Sequence, residues 1–158
     1  MRIVTFSALA EFPARVVAHT KALASDPRAE AAEGSAADDA IEQLKHSLDF
    51  EIQTFQSDLT CVLLEERPAL SFRWVETTWD ASDAKVKGDE LDTLLEAFET
   101  ARSRTLSVLN DLTEDQWVRT GTLNDVEISA LSLAHSLCAR DFESLAVIHR
   151  SLTRCSAA

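Results

Sequence analysis

Apolar residues recur along this chain at spacings of three and four, the period of one face of an α-helix. Phe12, Val16, His19 and Leu23 mark a first helix, expected to begin near Pro13 and to end by Pro27. Proline suits a first helical turn, where its missing N–H is not needed. A small-residue loop, DPRAEAAEGSAAD, follows. Ile41, Leu44, Leu48, Ile52, Phe55, Leu59 and Val62 then form a long amphipathic stripe. It predicts a second helix capped by Asp38 or Asp39 and stopping before Pro68.

From Pro68 to Gly88 the pattern is irregular and holds Trp74 and Trp79. That is long for a connection inside a bundle, which suggests a functional loop or a short extra helix. Packing under the loop, a pocket mouth and a dimer contact are three uses for the two indoles. A third helix is expected after Gly88, with Asp89 as its cap and Leu91, Leu94, Leu95, Phe98, Ala101, Leu109 and Leu112 as its core face. LTEDQW reads as a turn with a Thr113-x-x-Gln116 capping box, and Gly121 falls in a break.

A fourth helix is predicted from about Asp125 to about Arg154. Ile128, Leu131, His135, Cys138, Phe142, Leu145, His149 and Leu152 form its principal stripe. Ala130, Leu133, Leu137 and Ile148 form a second, on roughly the opposite face. A helix apolar on two sides belongs at the centre. The pattern contains no strand, so the expected fold is all-α: one four-helix-bundle domain over residues 1–158, with a long connection between helices two and three.

Composition agrees, with 46% hydrophobic and 27% charged residues and only three Gly and three Pro. The formal net charge of −12 opposes binding to phosphate backbones and anionic lipids. Nucleic-acid and membrane partners are therefore not expected. Cys61, Cys138 and Cys155 form no CxxC pair, and neither a signal-peptide core nor a membrane-spanning stretch is evident. The expected location is the cytoplasm.

The second stripe of helix four is interrupted by Arg140, Asp141 and Ser144. Buried polar groups must be paired. Either this part of the stripe faces water, or it lines a polar pocket inside the bundle. His135 and Cys138, three apart, share a face but have no evident third ligand, so packing is the simpler role for them and for His149. His19 has no motif around it. No nucleophilic triad or glycine-rich phosphate loop is evident.

Residues 94–152 resemble the C-terminal half of the DinB/YfiT-like helical-bundle superfamily. The cues are the third helix, the LTxxxW turn, the Gly after it, and a last helix with HD-like and LAxI elements. AIEQLKHSLDFEIQTF resembles that family's second helix, with its L-x-H-x-x-D-x-E pattern. The resemblance implies a divalent metal, such as Zn or Ni, held by one histidine on the second helix and two, four apart, on the last. It also implies metal-dependent thiol transfer, thiol-assisted isomerisation or hydrolysis, and pairing into a homodimer through bundle faces. Here His46 matches the first position, while Arg140 and Ser144 occupy the other two. Arginine cannot be deprotonated and a serine hydroxyl is a weak ligand. The expectation is therefore no metal cofactor and no catalytic residues. The site should instead take a small ligand or a partner, with His46, Asp49, Glu51, Arg140, Asp141 and Ser144 as its candidate lining. Arg140 is expected to supply the missing positive charge to Asp49, Glu51 or Asp141.

Overall fold

The computed structural model describes residues 2–24, 36–70 and 87–157. The bundle consists of α1 (Arg2–Ala24), a long second rod, α4 (Lys87–Asp111) and α6 (Ala130–Ala157). The second rod joins α2 (Ala36–Asp49) to α3 (Gln56–Leu64) through a π-helical segment, Phe50–Phe55. A one-turn helix α5 (Glu114–Trp117) and a hairpin of β1 (Thr120–Leu123) and β2 (Val126–Ser129) connect α4 to α6. No helix among the described residues is long and apolar enough to cross a membrane.

The expected four helices are all present, with corrections to their ends and faces. First, α1 begins well before Pro13, which lies inside it. Proline in a helix interior removes the N–H that would reach the carbonyl four residues back, here that of Leu9. Second, residues 120–129 form a hairpin, so the last helix starts at Ala130 and not near Asp125. Asn124 and Asp125 take positive φ angles of 50° and 64°, the left-handed pair that closes a two-residue hairpin. Third, the faces of α6 exchange roles. Leu133, Leu137 and Ile148 are buried, whereas Phe142 and His149 of the longer stripe are exposed. In the second rod Glu51 is buried and Ile52 exposed, the reverse of the predicted stripe.

The Thr113–Gln116 capping box forms in both directions. The segment after α3 pairs with the hairpin: the Thr122 N–H donates to the Pro68 carbonyl at 2.8 Å, and the Leu70 N–H to the Thr122 carbonyl at 2.7 Å. Gly121 belongs to this contact, because a Cβ there would meet the Pro68 carbonyl oxygen at 2.9 Å. Trp74 and Trp79 lie outside the described residues, as do most of the long connection and the side chain of Asp89.

The core divides into two apolar clusters. One gathers Phe12, Val16, Leu44, Leu48, Phe98 and Ile148; the other gathers Leu9, Phe55, Leu59, Leu109, Leu133 and Leu137. Every long helix passes from one cluster to the other at the same level of the bundle. On the second rod the crossing residue is Glu51, between Leu48 and Phe55. On α4 it is Arg102, and on α6 it is Asp141.

Candidate functional site: a charged layer and a polar seam

Arg102, Glu51 and Asp141 are 1%, 0% and 5% exposed. The Arg102 Nε donates to the Glu51 carboxylate oxygens at 3.0 and 3.1 Å. Nη2 donates to Glu51 Oε2 at 3.0 Å and to Asp141 Oδ1 at 2.9 Å. Nη1 donates to Asp141 Oδ2 at 2.6 Å and to the Leu9 carbonyl at 3.0 Å. These bonds occupy all five N–H donors of the guanidinium. The rings of Phe12 and Phe98 lie 5.2 and 5.3 Å from its centre. The last bond answers a local defect: Leu9 is the residue whose carbonyl Pro13 cannot reach.

Two carboxylates against one guanidinium leave a buried excess of negative charge. Burial pushes the Asp141 carboxyl up to about 6; Arg102 opposes the shift and Glu51 reinforces it. Burial also acts to lower the Arg102 value, but bonding and attraction to Asp141 and Glu51 outweigh it and raise the net value. Cys138 beside them is pushed up by burial and by Asp141, with Arg102 opposing.

A second polar group lies on the seam between α2 and α6. Ser144 and Ser47 hydroxyls are 2.7 Å apart. The Gln43 amide donates to the Ser144 hydroxyl at 3.0 Å, and Ser47 donates to the Gln43 carbonyl at 3.0 Å. The bonds run as a chain from the Gln43 side-chain amide through the two hydroxyls to the Gln43 backbone carbonyl. Arg140, one turn before Ser144 on α6, lays its guanidinium 4.2 Å from the centre of the Phe50 ring. Among the described residues no carboxylate pairs with it.

The six sequence candidates therefore separate. Glu51 and Asp141 meet on Arg102. Arg140 and Ser144 share the seam. His46 is exposed and makes a 3.2 Å contact with Glu42 on its own helix. Asp49 is half-buried; its Oδ2 is enclosed without a hydrogen-bond partner among the described residues. Burial raises the Asp49 value, and nearby His46 pulls it back in part. The expected role of Arg140 as counter-ion is corrected: Arg102 supplies that charge to Glu51 and Asp141, and Arg140 stacks on Phe50. Arg102, Ser47 and Gln43 were missed. Arg102 had a visible signal, because it follows Phe98 by four and precedes Thr105 by three, inside the apolar stripe of its helix.

A metal held by three imidazoles does not fit this seam. The α2 residue facing Ser144 is Ser47, one position beyond His46, and the seam offers hydroxyls, an amide and a guanidinium. Among the described residues no group of three His, Cys, Asp or Glu side chains is arranged to hold an ion.

No protein-family model matches the sequence, and no curated protein matches it. The structure is similar to that of YfiT from Bacillus subtilis, described as a probable metal-dependent hydrolase with an unusual four-helix bundle topology. The match covers 95% of this chain and 85% of that one, with a TM-score of 0.68 and 20% sequence identity. In fold, the chain is thus a four-helix bundle similar to that of YfiT.

Proposed function

We propose that this bundle works without the metal that its family resemblance implies and binds a small molecule at the α2/α6 seam instead of catalysing a reaction. The observation that carries the reading is the donor set at the seam. Ser47, Gln43 and Ser144 close their hydrogen bonds on each other, and Arg140 stacks on Phe50 with no acidic partner among the described residues. A guanidinium fixed by its face keeps its N–H edge for a ligand, and that edge matches a carboxylate or phosphate. The expected ligand therefore carries an anionic group received by Arg140. We infer the rest of the arrangement from the sequence: one cytoplasmic domain that associates as a homodimer.

The competing reading is a metal-dependent enzyme, and the likeness to YfiT favours it. A thermal-shift screen of small carboxylates and phosphates on tag-free protein separates the two. Binding to the native state raises the melting temperature. The expected hits lose their effect in Arg140→Gln. Hydrolysis of a test ester or amide that depends on an added divalent ion and survives Arg140→Gln would refute the proposal.

A further inference from the structure

We propose that His19 on α1 and His149 on α6 form a two-histidine surface site for a divalent transition ion of the zinc or copper class. The inference does not depend on the seam. The two rings face each other across the α1/α6 boundary, with centroids 5.9 Å apart and planes at 71°. Two imidazoles on one tetrahedral ion stand about 5 Å apart centre to centre, given metal–nitrogen bonds of about 2.0–2.1 Å. His149 is exposed and His19 half-exposed, so both rings have room to turn towards a shared ion.

The orientation of His19 suits this role. Its Nδ1 lies 2.7 Å from the Arg15 carbonyl oxygen. A carbonyl only accepts, so Nδ1 is the donor in this bond, and in the neutral ring Nε2 is the nitrogen with the lone pair. A ring N–H anchored on a backbone carbonyl is the usual support of a metal-bound histidine. One turn earlier on the same helix, the Arg15 guanidinium donates to Glu11 at 2.9 Å. Arg150, next to His149, turns its Nε back to the Ala146 carbonyl at 3.2 Å. Among the described residues no third His, Cys, Asp or Glu completes a closed site. The remaining coordination positions go to water or to an external ligand, as in an open site.

Calorimetric titration of the tag-free full chain with Zn²⁺ tests the proposal. One ion per chain is expected. His149→Ala and His19→Ala should each weaken binding by about tenfold or more. Circular dichroism should be unchanged in His149→Ala, whose side chain lies on the surface. Absence of binding in the wild type would overturn the site. So would binding that survives His149→Ala, or binding abolished by His46→Ala. Zinc retained in His149→Ala would also count against the metal-free reading of the seam, whereas loss in that variant leaves that reading intact.

Discussion

Pro13 leaves the Leu9 carbonyl without its helical donor, and Arg102 reaches across from α4 to supply one at 3.0 Å. A defect in one helix and a buried charge in another thus complete each other. The fifth N–H of the guanidinium finds an acceptor, and the Leu9 carbonyl is not left orphaned.

Removing Arg102 should be the most damaging single change. Arg102→Met leaves Glu51 and Asp141 buried together without a cation, at an expected cost of about 3–5 kcal/mol in urea unfolding. The link to Pro13 is separable by a double-mutant cycle. Ala at position 13 restores the N–H to the Leu9 carbonyl. The loss from Arg102→Met should then be about 1 kcal/mol smaller in a Pro13→Ala background. Strict additivity would show that the Leu9 bond carries no energy.

The excess negative charge predicts an unusual pH response. The Asp141 value lies at about 6 in the folded protein, against 3.8 ordinarily. The folded state therefore holds this proton more tightly than the unfolded chain does. The stabilisation is fully present below about pH 4 and is lost as the pH rises through about 6, by an amount on the order of 3 kcal/mol. Burial, Arg102 and Glu51 set this environment. Asp141→Asn stays neutral throughout. The difference in unfolding free energy between wild type and this variant should change across that range. Parallel curves for the two proteins would contradict the assignment.

Restoring imidazoles to the seam tests its register. Arg140→His and Ser144→His, combined with Ser47→His, should create a site for zinc. The same last-helix pair with only His46 on α2 should not, because His46 faces Glu42 and solvent. Equilibrium dialysis with Zn²⁺ distinguishes the two designs, provided that both also carry His149→Ala to silence the surface pair. Equal affinity in both would show that His46 can reach the seam.

Gly121 is predicted to tolerate no side chain. The Cβ of Gly121→Ala would meet the Pro68 carbonyl oxygen at 2.9 Å and a Leu70 side-chain carbon at 3.1 Å. Both partners belong to the segment that pairs with the hairpin. Thermal unfolding should register a loss of about 1–3 kcal/mol.

Much of this was legible in the chain. Periodicity located four helices because each buries one stripe, and the Thr113–Gln116 box was readable from three residues of spacing. The charged layer was half legible. Glu51 follows Leu48 by three and precedes Phe55 by four; Arg102 and Asp141 interrupt their stripes in the same way. What one helix at a time cannot reveal is that the three interruptions stand at one level, which depends on how the helices are staggered. The π-helical segment has no one-dimensional pattern of its own. Nor could spacing decide between His46 and its neighbour Ser47 as the residue facing α6, since a step of one along a helix turns the side chain by about 100°. The hairpin did leave a trace. Asn124 and Asp125 separate two four-residue segments, each with two β-branched residues, but the apolar stripe continued through Ile128 and read as helix.

The Arg102 cluster joins positions 93, 51 and 39 residues apart in the chain. A guanidinium with only some of its acceptors in place would be a buried charge half stripped of water. Its bonds therefore have reason to form last, once all four helices have docked, and to break first only at high cost. Arg102 should consequently govern how slowly the bundle comes apart and hardly affect how fast it assembles. In stopped-flow experiments Arg102→Met would then steepen escape from the native state and leave the refolding rate nearly unchanged.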